Sequence, residues 1–380
     1  MFKFGRRREK EFYFVADIGS EALKTVVLRK EGAKTSVVSS SLDYFHEQDA
    51  FEAGLSKLEE YVKMFDRKPH RCIFTLRPAQ LLARVVNRQV ERPTPGKTID
   101  QKEASAIFEK VQGGAKKMAA ENFFQNSGVL PSDIQFTNSR ILQQKLDGYP
   151  VPKFEGYSGK NLSFKVLTVF GLKSFLQRTE NTCRNAGLSS VKVVHEAEGF
   201  LPFVSGKPDA VFIDIGGEET GVFLARRGRI EATDRFALGS QSFSQAISET
   251  LGVGFQDARA LKERYADRAL SEGVSQRMAE LLHRPLRGWF ESLQLKLKEM
   301  ATSNLLPSKI YIFGGGAFLP DFKKILQEGK WQNIVFVGKP DVKTLFPKDT
   351  LGASLQDGAD ILNNPQYTPA LLTYYAEKSN

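Results

Sequence analysis

Cysteine is nearly missing from this chain: 380 residues hold two, Cys72 and Cys183, 111 positions apart and without a partner at metal-ligand spacing. That excludes a disulfide-stapled scaffold and a zinc module, and it suits a reducing compartment. Histidine is scarce too. His46, His70, His195 and His283 are scattered, so neither a histidine metal cluster nor a Ser-His-Asp arrangement emerges. No apolar run approaches the ~18 residues of a membrane-spanning helix. The charged segment Met1–Lys10 is followed only by Phe12–Ala16 before Asp17 interrupts, which is not a secretory signal. The expected address is cytoplasmic, with the inner face of the cell membrane as an alternative.

What remains is ordinary globular material, 41% hydrophobic and 26% charged, long enough for two or three units. The 54 basic and 44 acidic residues give +10, and the first ten residues carry +4 of it through Lys3, Arg6, Arg7, Arg8 and Lys10 against Glu9. With Phe2 and Phe4 between the cations, this tail reads either as a solvated end or as a contact to anionic lipid at about 1 kcal/mol per basic residue. No nucleic-acid motif accompanies the charge, so nucleic acid is not an expected partner.

Hydrophobic patterning predicts strands at Tyr13–Ile18, Thr25–Leu28, Thr35–Ser39 and Cys72–Leu76, and a helix over Leu55–Phe65. The Pro-rich break Glu91–Gly96 marks a boundary. Beyond it, Asp100 with Glu103 opens a helix whose buried stripe is Ala104, Ile107, Phe108 and Val111. Strands follow at Asp133–Phe136, Ile141–Leu146 and Asn161–Phe170, with Asp147-Gly148 turning before the last. A helix with Leu172, Phe175, Leu176, Cys183 and Ala186 on one face stops at Gly187, which makes Cys183 a core residue. After further strands from Ala210, a long helical region runs from Ser242 to Ser303, with Trp289, Phe290, Leu293 and Leu297 as core.

The strongest signal is an internal echo. Phe14-Val15-Ala16-Asp17-Ile18-Gly19-Ser20-Glu21 recurs as Val211-Phe212-Ile213-Asp214-Ile215-Gly216-Gly217-Glu218, 197 positions later. A buried strand ending in Asp and followed by a small-residue hairpin lets backbone N–H groups approach phosphate oxygens. The Asp can orient a hydrated Mg²⁺, which favours carboxylate plus water. A third site has the same strand-turn form: Ile310–Phe313, then Gly314-Gly315-Gly316, then a helix opened by Leu319-Pro320-Asp321. Such a turn packs a flat group against backbone, and its glycine spacing differs from the dinucleotide fingerprint.

In this order the three sites resemble the actin-like ATPase superfamily: first phosphate loop, second phosphate loop, adenosine loop. Only 64 residues follow Gly316, too few for a chaperone's peptide-binding domain. Within the superfamily the chain is similar to the FtsA/PilM-like family, and most to the cell-division members. Four stretches carry this: Asp17–Leu28; Lys145-Leu146-Asp147-Gly148 with Gly156–Lys165; Phe255–Tyr265; and Asn364–Thr368. The chain departs from the family at Ala22, where a lysine is usual, at Gly239-Ser240 in place of Gly-Gly, and near Leu372, where the last helix usually has glycine.

The resemblance implies a two-lobed α/β actin-like (ribonuclease-H-like) ATPase fold with an inserted small α+β subdomain. Its parts would be a tail at 1–10, a first lobe at 11–84 and 170–208, the insert at 85–169, a second lobe at 209–350 and a returning C-terminal helix at 351–380. It implies ATP and Mg²⁺ held between Asp17, Gly19, Ser20 and Lys24 on one side and Asp214, Gly216, Gly217 and Glu218 on the other. Adenosine would lie against Gly314, Gly315, Gly316 and Phe318, with Lys262 on ribose or base. Asp17 and Asp214 would serve the metal. Asp214 and Glu196 would be catalytic, with hydrolysis slow or absent. The implied role is a division scaffold linking FtsZ-type filaments to membrane-bound proteins and associating head to tail. The alternative is a PilM-like component of pilus or secretion assembly that binds a short peptide on its insert. A small-molecule kinase of the same superfold is the expectation from another class.

Overall fold

The computed structural model describes residues 10–45, 49–65, 69–77, 79–188, 190–301, 305–351, 355–356 and 358–378. The basic tail from Lys3 to Arg8, His46 and Ser303 lie outside them. Strands β1 (Glu11–Ile18), β2 (Ala22–Glu31) and β3 (Lys34–Tyr44) form an antiparallel meander. Helix α1 (Ala50–Lys63) starts where the Asp49 carboxylate accepts from the Phe51 and Glu52 N–H groups, and it leads to β4 (Arg71–Leu76), parallel to β1. Alternation along β1 decides its two faces: Phe14, Ala16 and Ile18 enter the core under α1, while Tyr13 and Val15 enter a second core on the other face. A strand covered on both faces reads as a continuous apolar run, which is why it is legible.

The chain then leaves the lobe. Strand β5 (Leu81–Glu91), helix α2 (Gln101–Ser127) and strands β6 (Ile134–Leu146), β7 (Tyr149–Pro150) and β8 (Asn161–Leu172) make a separate four-stranded sheet, ordered β5-β8-β6-β7, with α2 packed on it. As expected, the Asp100 carboxylate accepts from the Glu103 N–H at the start of α2. Phe108 in its stripe is only half-buried. The two strands expected at Asp133–Phe136 and Ile141–Leu146 are one, because register shifts at Phe136/Asn138 and Ile141/Gln143 bend the strand without ending it.

Helix α3 (Lys173–Asn185), strand β9 (Val191–Val193) beside β4, and helix α4 (Glu196–Val204) complete this part. Cys183 lies in the core, where burial pushes its thiol up to about 12. The second lobe repeats the first: β10 (Ala210–Ile215) is antiparallel to β11 (Thr220–Arg226), which pairs with β12 (Arg229–Phe236). The long helical region is three helices, α5 (Gln241–Leu251), α6 (Phe255–Ala266) and α7 (Glu272–Met300). Gly252 (φ 66°) and Arg268 (φ 58°) turn left-handed at the two breaks. Trp289 is fully buried as expected, and its Nε1–H donates to Thr220 Oγ1 at 2.8 Å. After β13 (Leu305–Leu306), β14 (Lys309–Phe313) runs parallel to β10. Helix α8 (Pro320–Glu328), β15 (Val335–Phe336) and β16 (Asp341–Thr344) follow, and the main sheet is ordered β12-β11-β10-β14-β16. Helix α9 (Pro347–Leu351), β17 (Leu355–Gln356) beside β3, α10 (Ala359–Leu362) and α11 (Thr368–Lys378) bring the chain back over β1, β2 and β4.

Helices α4 and α11 cross where the lobes join. Gly199 makes the crossing possible, because a Cβ there would overlap the Leu372 carbonyl oxygen. The small residue absent from the last helix near Leu372 is therefore supplied by its partner helix. Gly199→Ala should cost about 2 kcal/mol by overpacking a backbone contact. Chemical denaturation checks this; an unchanged midpoint would contradict the close crossing.

Candidate functional site

The two echoed hairpins face each other. In the first, Gly19 N–H donates to the Ala22 carbonyl at 3.0 Å; in the second, Gly216 N–H donates to the Glu219 carbonyl at 3.0 Å. These two glycine N–H groups thus close their own turns. The second hairpin is also fastened to the start of α5, since the Ser240 and Gln241 N–H groups donate to the Gly216 and Gly217 carbonyls, both at 2.8 Å. Gly239 has to be glycine for that approach, as a Cβ would overlap the Gly216 and Gly217 carbonyls. The tips touch across the cleft: Glu218 N–H donates to Ser20 Oγ at 3.1 Å, and a Cβ on Gly217 would fall against Ser20 and Glu21.

Behind the tips lies a cavity of about 270 Å³. Asp17, Gly19, Ser20, Lys24, Glu196, Asp214, Gly216, Gly217, Glu218, Lys262, Gly314, Gly315 and Phe318 all line it. Gly316 does not. It is buried against Ile215, whose side chain a Cβ would strike, so its role is to let the third turn close on β10. Glu21, Tyr44, Arg77, Glu219, Glu263, Asp267 and Gln366 also line the cavity, and none of them is among the expected site residues. Glu21 and Glu219 were legible, since they sit in or beside the echoed octapeptides. Arg77 and Gln366 reach the cleft only through the sheet and the returning chain.

At its base the Lys24 ammonium donates to Asp17 Oδ2 at 2.7 Å. Burial works against the lysine's charge, but Asp17, Asp214 and Glu21 outweigh it and hold its pKa above the ordinary value. Asp214 sits opposite at the end of β10. Burial, reinforced by the charge of Asp17, raises its carboxyl to about 7, and its Oδ1 is buried with no hydrogen-bond partner. Glu196 is raised well above the carboxylate range, first by burial and then by Asp214 and Asp17. The neighbouring His195 has a local role. Its Nδ1 accepts from Ala197 N–H while its own backbone N–H donates to Glu198 Oε1, a reciprocal cap of α4. Burial holds that imidazole down at about 3 and keeps it neutral. It is therefore Glu198 that serves the backbone, and Glu196 faces the cleft.

The other end is shaped by Phe318, Leu319, Gln366 and α6. Lys262 is buried and donates to the Ser240 carbonyl at 3.0 Å, with burial pulling its pKa down. Eight carboxylates (Asp17, Glu21, Glu196, Asp214, Glu218, Glu219, Glu263 and Asp267) against three cations (Lys24, Arg77 and Lys262) line the cavity. A bare polyanion would be repelled from such a site, and a divalent cation carried with it would lessen that repulsion. Among the described residues no group of three or more His, Cys, Asp or Glu is arranged to cage a metal by itself.

No family model and no curated protein matches the sequence. Among solved structures, the PilM–PilN type IV pilus biogenesis complex aligns over 96% of this chain and 98% of that one, at 17% identity and a TM-score of 0.68. MreB 5 of Spiroplasma citri bound to AMPPNP aligns at 11% identity over 98% and 97% of the chains, TM-score 0.49. The ethanolamine utilization protein EutJ from Carboxydothermus hydrogenoformans aligns at 13% over 97% and 89%, TM-score 0.48. The fold is the two-lobed actin-like ATPase fold.

Asp214 generates a pH test. Folded, it holds its proton up to about pH 7, whereas an unfolded Asp releases it near 3.9. Between those values the native state binds more protons than the unfolded chain, so stability falls as pH rises, by at most about 1.4 kcal/mol per pH unit. Asp214→Asn should melt above the wild type at pH 8, with the gap closing towards pH 4. A gap independent of pH would contradict this assignment.

Proposed function

We propose that the chain is a Mg·ATP-binding clamp that serves as the cytoplasmic nucleotide-binding part of a type IV pilus or related secretion assembly. The observation that carries the nucleotide reading is the pair of matched hairpins facing one another over the buried Lys24–Asp17–Asp214–Glu196 cluster. Phosphates would lie between the Gly19–Glu21 and Gly216–Glu218 tips, and adenosine against Gly314, Gly315 and Phe318. The residues fit Mg²⁺, because Asp214 presents a buried oxygen without a partner and Mg²⁺ is commonly held by one or two carboxylates plus water and phosphate. Asp214, with Asp17 beside it, would hold the ion, whose chemistry there is to neutralise phosphate charge. The cleft's acidity makes that neutralisation a condition of binding.

Turnover should be slow. A general base must be ionised to take a proton from water. Burial and its two acidic neighbours raise the pKa of Glu196 in the free cleft, which disfavours the ionised form that a base requires. Asp214 would be occupied in holding the metal.

The structural likeness to the PilM–PilN complex supports the pilus-type assignment over the division one. A peptide of a membrane-bound assembly protein would dock on the insert, which exposes Met118, Phe124, Leu130, Tyr149 and Tyr157. The Asp147-Gly148 element, which favours an FtsA-type scaffold for FtsZ filaments on resemblance alone, has a local explanation. Asp147 takes φ 45°, and its carboxylate accepts from the Lys160 and Asn161 N–H groups. No helix among the described residues is long and apolar enough to cross a membrane.

Calorimetric titration with Mg·ATP should show saturable one-to-one binding that disappears with EDTA and weakens at least about tenfold in Lys24→Ala, the scale of a lost charge-assisted bond. Binding that ignores EDTA would sink the reading of the cleft. A PilN-type cytoplasmic peptide should bind the full chain, and the C-terminal tail peptide of FtsZ should not; the reverse would restore the division role.

A further inference from the structure

Arg77 belongs to none of the motifs, yet it stands at the mouth of the cleft. It follows directly on the Ile18–Leu76 pair in the β1–β4 register, which places it beside the first hairpin. Its Nη1 donates to Glu218 Oε2 at 2.7 Å, an ion pair from the first lobe to the tip of the second hairpin. Its Nε is buried and has no partner. Of the three cations that line the cavity among the described residues, Lys24 is tied to Asp17 and Lys262 to the Ser240 carbonyl. Of the three, only Arg77 has a buried nitrogen with no hydrogen-bond partner at all, and the anion it now holds is the Glu218 carboxylate.

The hairpin tips also touch, Glu218 N–H on Ser20 Oγ at 3.1 Å. A polyphosphate seated between them must part the tips, which carries Glu218 away from Arg77. The guanidinium would then face the incoming phosphate with its fork open, the geometry that pairs with phosphate in two parallel bonds. We propose that Arg77 is a phosphate-binding residue held in reserve by Glu218, and that the terminal phosphate of the nucleotide replaces the Glu218 carboxylate on its guanidinium. This rests on the nucleotide reading of the cleft. It adds a requirement for phosphate, separate from the adenosine contacts, and makes the Arg77–Glu218 pair a latch that phosphate opens.

The test is calorimetric titration of the full-length wild type, Arg77→Ala, Arg77→Lys, Glu218→Gln and the Arg77→Ala/Glu218→Gln double variant with Mg·ATP and with adenosine. Thermal melting checks that each folds. Arg77→Ala should weaken Mg·ATP about tenfold or more and leave adenosine unchanged. Glu218→Gln should tighten Mg·ATP several-fold, and that gain should vanish in the double variant. If Arg77→Ala does not melt cooperatively, Arg77→Lys decides, because lysine lacks the fork and should show the same selective loss in smaller degree. Equal losses for Mg·ATP and adenosine, or a Glu218→Gln gain that survives without Arg77, would overturn the proposal. A wild type that binds no Mg·ATP would overturn the cleft reading and this proposal together. A wild type that binds while Arg77→Ala binds equally well would overturn this proposal alone.

Discussion

One lysine faces three carboxylates at the bottom of the cleft, and much else in the molecule is arranged around that imbalance. Lys24 is bonded to Asp17, while Asp214 and Glu196 share the same buried space without a lysine of their own. Burying like charges together is unfavourable unless protons or a cation neutralise them. In the free protein protons do so, through the raised carboxyls of Asp214 and Glu196. On the proposed reading a divalent ion with a polyphosphate would take their place, and the cleft would favour a metal-bound ligand. The unpartnered Asp214 Oδ1 is the structural trace of the same arrangement.

The cleft communicates with the rest of the chain through short, specific contacts. The second hairpin is fastened to α5 by two backbone bonds, and the two hairpin tips meet through Ser20, Glu218 and Arg77. Below them α4 and α11 cross at Gly199 and Leu372. The insert is bonded to the second lobe as well, because Thr233 Oγ1 donates to the Ala83 carbonyl at 2.8 Å and Lys165 pairs with Glu231 at 3.2 Å. These contacts form a continuous path from the hairpins to the lobe junction and to the strands that carry the insert. This is the physical basis on which nucleotide would alter how a partner sees the insert, as a shift between closed and open populations.

The features legible in the sequence are those with strong periodicity or repetition. The Asp-Ile-Gly echo located both hairpins because each follows a strand buried on both faces, and the third glycine turn follows another such strand. A large part of the cavity lining, though less than half, followed from those three motifs. Gly316 was the exception: its neighbours face the cavity, while it packs inward on Ile215, a distinction that depends on the local φ/ψ path. The β6 bulges were not legible, since a bulge leaves hydrophobic alternation on both sides intact. The helical region read as one segment because Gly252 and Arg268 interrupt a pattern that stays amphipathic across them. Arg77 was invisible for a different reason, as its role depends on a partner 141 positions away. The Asp147-Gly148 element, part of the resemblance, also fixes a local turn, in which the Asp147 carboxylate accepts from the Lys160 and Asn161 N–H groups.

A structure of the full chain crystallised with Mg²⁺ and a non-hydrolysable ATP analogue tests the chemistry of the cleft most directly. Phosphates should lie between the Gly19–Glu21 and Gly216–Glu218 tips, with a metal beside Asp214 and Glu218 drawn away from Ser20 and Arg77. Analogue bound elsewhere, or hairpin tips still in contact with the nucleotide in place, would contradict it.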